Sequence, residues 1–321
     1  MIRWIIFLLF FVLLSGYAGQ ALRTLSPSRW LMGLYWGCCV LVFLNLNWQF
    51  FGISDAQKES ARNYALGFYI ILFVFQSLVV AFLAIEDITR ILRAVIAFFV
   101  PELGPVWVGR RKFISRLALG VAALPVAGLI YGIFRGRYNY KVLRYELAFE
   151  DLPEQFDGFQ LTQISDLHCG SFDNYKRVEY GIDLINAQQS DVILFTGDLV
   201  NNRADELQKW QSLFGTLTAK HGVYSVLGNH DYGDYVPWNS PEDKAANFNR
   251  LLEIQAQMGF QLLRNTHKLI EKQGQSIAIV GVENWGAGGF KKKGDLNKAL
   301  NGLQADSFKI LLSHDPSHWQ L

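Results

Sequence analysis

Val192-Ile193-Leu194-Phe195-Thr196-Gly197-Asp198 sets four consecutive apolar residues three positions ahead of a carboxylate. An unbroken run of that length predicts a strand buried on both faces. The same device recurs along the chain. Phe159 to Ile164 reads as a strand and leads into Asp166-Leu167-His168; Val223 to Leu227 leads into Gly228-Asn229-His230-Asp231; Phe308 to Leu312 leads into Ser313-His314. Between these runs Val178, Ile182 and Ile185 keep helical spacing, and Leu207, Trp210, Phe214 and Leu217 mark a second helix. Ser240-Pro241-Glu242-Asp243 looks like the capped start of a third, ending near Met258. Ile277 to Val282 adds a strand. Leu143, Tyr145, Leu147 and Phe149, alternating with Arg144, Glu146 and Glu150, predict a half-buried one. Strand-helix alternation predicts a layered α/β domain. Each candidate ligand then lies past the carboxyl end of a strand, where open α/β sheets place their ligands.

The 321 residues are 51% hydrophobic, and the two halves differ sharply. Residues 1–140 are apolar runs with basic punctuation; residues 141–321 read as a separate domain large enough for one core. A formal charge of +2 with no basic stripe gives no nucleic-acid-binding signal. Three cysteines cannot form a disulfide framework. Cys38 and Cys39 sit in an apolar run, which suggests packing, while Cys169 adjoins His168 and is a weak candidate for a soft-metal contact.

Trp4 to Tyr17, Trp30 to Leu44 and Tyr64 to Ile85 each approach or exceed a membrane span once flanks are counted. Leu117 to Phe134 is a fourth, giving about four transmembrane helices. The first segment also has the features of a cleaved signal peptide. Ile88 to Val100, broken by Arg90 and Arg93 and followed by Pro101, reads as an interfacial helix. Gly109-Arg110-Arg111-Lys112-Phe113 is similar to a twin-arginine export signal, and equally to an ordinary positive-inside anchor. The loop 86–116 carries six Lys/Arg against two in the loop 45–62. That contrast, weakened by Arg135, Arg137 and Lys141, expects a multi-pass protein of the bacterial cytoplasmic membrane whose second domain faces away from the cytoplasm.

A carboxylate and imidazole two residues apart, a second carboxylate, and an amide beside an imidazole form a ligand set for two hard-to-borderline divalent metals. Two such ions about 4 Å apart commonly attack phosphorus esters through metal-bound hydroxide. Ser165-Asp166-Leu167-His168, Gly197-Asp198, Gly228-Asn229-His230-Asp231 and His314 resemble four of the five motifs of the calcineurin-like metallophosphoesterases. The likeness runs from about Lys141 onward and is nearest to the membrane-anchored bacterial branch. It implies a layered metallophosphoesterase sandwich holding two divalent ions (manganese, iron or zinc). It places Asp166 and His168 on the first ion, Asn229 and His314 on the second, and Asp198 between them. His230 would stay off the metals as proton donor or phosphoryl stabiliser, and Asp231 would orient His230. His221 and His267 read as structural. His318, four residues beyond His314, is a weaker ligand candidate, and Tyr232 is a candidate for the cleft wall.

The fifth motif of that family, Gly-His-x-His, is missing: the chain has six histidines and none follows His318. The expectation is a longer intact protein, since a domain ending within its own sheet leaves an unpaired edge. The other account is a complete chain with weak metal binding. Function reads first as hydrolysis of phosphodiester or pyrophosphate bonds in a lipid-linked or envelope-derived substrate at the bilayer. The alternative is a non-catalytic membrane module that senses or binds metal or phosphate. A transporter is disfavoured, because the spans lack central ionisable residues.

Overall fold

The computed structural model describes residues 2–52, 59–100, 109–286 and 289–320, and the chain divides into two compact units, Met1–Asn139 and Tyr140–Leu321. The first is helical. α1 (Ile2–Leu25), α2 (Arg29–Asn47), α3 (Glu59–Phe99) and α4 (Arg110–Phe134) are each long and apolar enough to cross a bilayer. Ser28 caps α2 by accepting from the Leu31 amide. Small residues bring the helices together: Ala18 and Ala21 of α1 and Ala118 and Ala122 of α4 are buried with Val79 and Leu83 of α3. The first apolar segment therefore has a place in the bundle core. A buried Gln76 on α3 donates to Ser15 Oγ at 3.0 Å and to the Tyr35 hydroxyl at 3.1 Å, satisfying its amide where water is scarce.

α3 departs from the sequence expectation. The third span and the supposed interfacial segment form one 41-residue helix. At 1.5 Å per residue it is about 60 Å long, twice the hydrocarbon thickness. No proline or glycine interrupts it around Arg90 and Arg93, so charge alone does not break the helix. Pro101 and the centres of the two basic-count loops lie outside the described residues. Arg110 and Arg111 have a structural occupation. Glu86, with only 3% of its side chain exposed, takes Arg110 at 3.2 Å and Arg111 at 2.7 Å; Arg111 also reaches Asp87 at 2.9 Å and Gln20 of α1 at 3.1 Å. The pair ties α1, α3 and α4 together.

The second unit holds two sheets. In the first, β1 (Leu161–Ile164), β2 (Val192–Phe195), β3 (Val223–Ser225) and β4 (Phe260–Leu262) lie in chain order and all parallel, with Ile164 opposite Phe195 and Phe195 opposite Ser225. This register sets the carboxyl ends of β1, β2 and β3 side by side. The helices between these strands are α5 (Tyr175–Asn186), α6 (Gln211–Phe214) and α7 (Pro241–Gln257), the last capped by Ser240 Oγ on the Asp243 amide. In the second sheet β5 (Thr266–Lys272) and β6 (Gln275–Gly281) form an antiparallel hairpin, and β7 (Lys309–Leu312) joins β6 in parallel. The two sheets face each other across one core: Val192, Leu194 and Tyr224 from the first, Ile270, Ile277, Ile279 and Leu312 from the second. α7 packs on β4, and α8 (Leu296–Leu300) on β5 and β6, so helices flank a sheet-on-sheet sandwich.

Two predicted elements differ. Leu143 to Glu150 forms no strand: Leu143, Tyr145 and Leu147 are 69%, 80% and 71% exposed, and Phe149 rests edge-on against Phe308. Its alternation lacks a neighbouring ladder among the described residues. The helix expected over Leu207 to Leu217 is a 3-10 turn at Ala204–Leu207 and the single turn of α6. The four apolar residues are buried as the periodicity required. The backbone turns early because Glu206 accepts from the amides of Asn201, Asn202 and Arg203.

Arg111→Ala leaves Glu86 buried with one counter-charge gone. The expected cost is about 3 kcal/mol, seen as a lower melting temperature of the full chain in detergent, and Glu86→Gln in the same background recovers part of it. An unchanged melting temperature would show that the clamp contributes nothing.

Candidate metal centre

The loops after β1, β2 and β3 are laced to one another before any side chain is considered. The amides of Asp166, His168 and Cys169 donate to the carbonyls of Gly197, Asp198 and Leu199, each at 3.0 Å. To make these bonds Asp166, His168 and Asp198 adopt left-handed φ of 54°, 44° and 58°. Such non-glycine conformations cost on the order of 1–3 kcal/mol each and persist where surroundings enforce them. Glycine is required where the loops touch: a Cβ on Gly228 would stand 2.1 Å from Asp198 Oδ1, and one on Gly197 2.4 Å from the Gly228 nitrogen.

Asp231 does the enforcing. Its side chain is fully buried, and its carboxylate accepts from the amides of Asp198 and Gly228 through Oδ2, both at 2.9 Å. Through Oδ1 it accepts from Leu199 at 2.9 Å and Val200 at 3.3 Å. Burial, and behind it the charge of Asp198, push the Asp231 carboxyl up to about 7, while the amides of Gly228, Val200 and Leu199 pull it down. This corrects the sequence expectation that Asp231 orients His230. The carbonyl of Asn201 takes that part, lying 2.6 Å from His230 Nδ1. A carbonyl only accepts, so Nδ1 carries the proton and Nε2 is the nitrogen left for the site.

At the centre stands Asp198, 4% exposed in its side chain. Its Oδ2 lies 3.4 Å from His168 Nε2 and 3.4 Å from His314 Nε2, while Oδ1 accepts from the His230 amide at 2.9 Å. Asp166 Oδ1 is 3.8 Å from His168 Nε2, and Asn229 Oδ1 is 3.1 Å from His314 Nε2. Among the described residues two metal-capable groups emerge, His168-Asp198-His230 and Asp166-Asp198-His314, each with ligand atoms within 4.8 Å of one another. They share Asp198. All five residues named as ligands, together with His230, thus gather at one place, although His314 arrives from the second sheet. His230 stands near enough to count as a possible ligand, where the resemblance keeps it off the metals.

The donor chemistry fits cations. His314 Nδ1 meets the Thr196 carbonyl at 2.9 Å, so the ring's proton sits there and Nε2 offers a lone pair. Nε2, Asn229 Oδ1 and Asp198 Oδ2 therefore converge as acceptors facing acceptors, an arrangement a positive ion resolves. An imidazole whose second nitrogen donates to a backbone carbonyl is also the usual posture of a metal-bound histidine.

Residues 159–320 match the family model "Calcineurin-like phosphoesterase", and residues 2–137 match "Probable Calcineurin-like phosphoesterase, transmembrane domain". The chain belongs to the calcineurin-like phosphoesterases. The chain is 30% identical over 215 residues to the uncharacterized metallophosphoesterase YkuE of Bacillus subtilis, covering 64% of this chain and 69% of that one. It is 28% identical over 193 residues to a transmembrane protein with metallophosphoesterase domain of Danio rerio, covering 58% of this chain and 42% of the relative. The match to the Bos taurus protein described in the same words is 27% over 217 residues, covering 64% and 46%. The chain thus spans less than half the length of these two vertebrate relatives.

Other candidates fall outside the centre. Cys169 is buried and belongs to neither group. His318 is buried against Trp285, with ring centroids 5.7 Å apart; His267 Nδ1 bonds the Ala299 carbonyl, and His221 packs on Phe159. Tyr232 does not line a cleft: it is buried, stacked on Phe248, with its hydroxyl donating to Glu283. The carbonyls of Thr196 and Asn201 escaped sequence reasoning because a backbone acceptor leaves no residue signature. So did Tyr235, whose hydroxyl meets Asn229.

Asp231→Ala strands four buried amides. It is expected to cost about 3–5 kcal/mol in thermal denaturation and to abolish Mn2+ uptake, whereas full uptake by a normally stable variant would contradict the hub role. Gly228→Ala displaces the Asp198 carboxylate, so it is expected to lose metal while retaining helical circular dichroism.

Proposed function

We propose that this chain is a membrane-anchored binuclear-metal phosphoesterase that hydrolyses phosphodiester or pyrophosphate bonds. The observation that carries the reading is the place of Asp198 Oδ2, equidistant from two imidazoles that approach from different strands. Such a carboxylate can serve two cations at once and offset their repulsion. Asp166 and His168 would complete the holder of one ion, Asn229 and His314 that of the other. When bound, the ions supply Lewis acidity toward the phosphoryl oxygens and an acidified water. The protein's own part is to fix geometry and move a proton. His230, anchored at Nδ1, would face the phosphoryl group or the departing oxygen with Nε2, acting there as the imidazolium that gives up its Nε2 proton. Asp231 holds the strained loops in place.

The ions in this reading are manganese, iron or zinc, since imidazole, carboxylate and amide donors suit all three. The four apolar helices favour a substrate at the bilayer, lipid-linked or envelope-derived, in a bacterial inner membrane with the second unit on the extracytoplasmic side. A reporter fused after Asn139 tests that orientation: activity only of an extracytoplasmic reporter is expected, and activity only of a cytoplasmic one would reverse it.

The reaction is tested with the purified full chain, Mn2+ and bis(p-nitrophenyl) phosphate. Turnover is expected to vanish with chelation and return with Mn2+. Asp198→Asn should lower kcat/KM by about 100-fold or more. Tight metal uptake without any metal-dependent turnover would favour the non-catalytic sensor instead.

A further inference from the structure

Tyr235 stands beside the centre in a way none of the ligand assignments uses. Its hydroxyl oxygen lies 2.8 Å from Asn229 Nδ2, and its ring packs on His230 with centroids 4.5 Å apart. The residue is nevertheless 48% exposed. The segment that carries it is held from several sides: the Tyr235 amide donates to Asn202 Oδ1 at 3.1 Å, Asp234 pairs with Lys291 at 2.9 Å and with Lys244 of α7, and Trp238 Nε1 donates to the Gly233 carbonyl at 2.7 Å. A half-exposed tyrosine tethered this thoroughly has its position set by the fold.

An asparagine can offer a cation either end of its amide, and only the oxygen binds. Here Oδ1 points at the His314 Nε2 lone pair, a contact that without an ion would favour the Nδ2 donor in its place. With a cation on Oδ1 the other end of the amide, Nδ2, needs an acceptor, and the phenolic oxygen supplies it. We propose that Tyr235 is a positioning residue of the centre, accepting from Asn229 Nδ2 so that Oδ1 faces the cation shared with His314. It holds the His230 ring at the same time. The inference rests on the reading of this cluster as a two-ion centre.

The test compares Tyr235→Phe, which keeps the ring and loses the hydroxyl, with the wild-type full chain in Mn2+ titrations followed by calorimetry. The variant is expected to bind two ions, one about 10-fold more weakly and the other unchanged. In an Asn229→Ala background the same substitution should do nothing further, because the effect runs through that amide. Normal affinity at both sites, or equal weakening at both with a lower melting temperature, would overturn the inference. The two readings fail separately. A wild-type chain that binds two ions, shows the Tyr235 effect and hydrolyses nothing sinks the proposed reaction and leaves Tyr235 in place. A chain that hydrolyses normally and is indifferent to Tyr235→Phe does the reverse.

Discussion

Four backbone amides pointing at one buried carboxylate hold this site together. Asp231 gathers donors from the loop after β2 and from the loop after β3. Those loops carry Asp198, Asn229 and His230. The amide-to-carbonyl bonds from Asp166 and His168 then draw the β1 loop onto the same frame. Three non-glycine residues with left-handed backbones persist only inside such a frame, which is why the acid that anchors it lies inside and away from the solvent-facing chemistry. The site is in this sense built from the backbone outward.

The parallel register of the first sheet explains why the ligands are dispersed in sequence and adjacent in space. β1, β2 and β3 lie side by side in chain order, and each delivers its loop at the same end. His314 comes from β7 in the opposed sheet, so the centre closes across both layers of the sandwich. The proton of His314 goes to the Thr196 carbonyl, just past β2. That bond fixes the tautomer and crosses from one sheet to the other at this edge.

Much of this was legible in the sequence, and the failures are as instructive as the successes. Val192 to Phe195 admits no other reading, because four apolar residues with no polar face must be covered on both sides. The motifs after the strands named the residues that converge, but not their partners, since Asn201 and Thr196 act through carbonyls. Asp231 was assigned to the neighbouring imidazole, whereas amides from two loops claim it first. β5 was invisible because only Ile270 of its seven residues is buried; its hairpin rests on Gln273 and Gly274, both with positive φ, a two-residue turn that Gln-Gly announces faintly. Leu143 to Phe149 shows the opposite error, a strand pattern with no ladder to join among the described residues. In the membrane unit Ile88 to Val100, its apolar pattern interrupted by Arg90 and Arg93, reads as a helix apart from the third span, yet one helix carries both up to Phe99.

The most direct test of the account is electron paramagnetic resonance of the full chain loaded with Mn2+, which reports whether two ions are bridged. One carboxylate serving both groups predicts an exchange-coupled pair, replaced by uncoupled single-ion signals in Asp198→Asn. A wild-type spectrum of isolated ions, at one per chain, would contradict the shared centre.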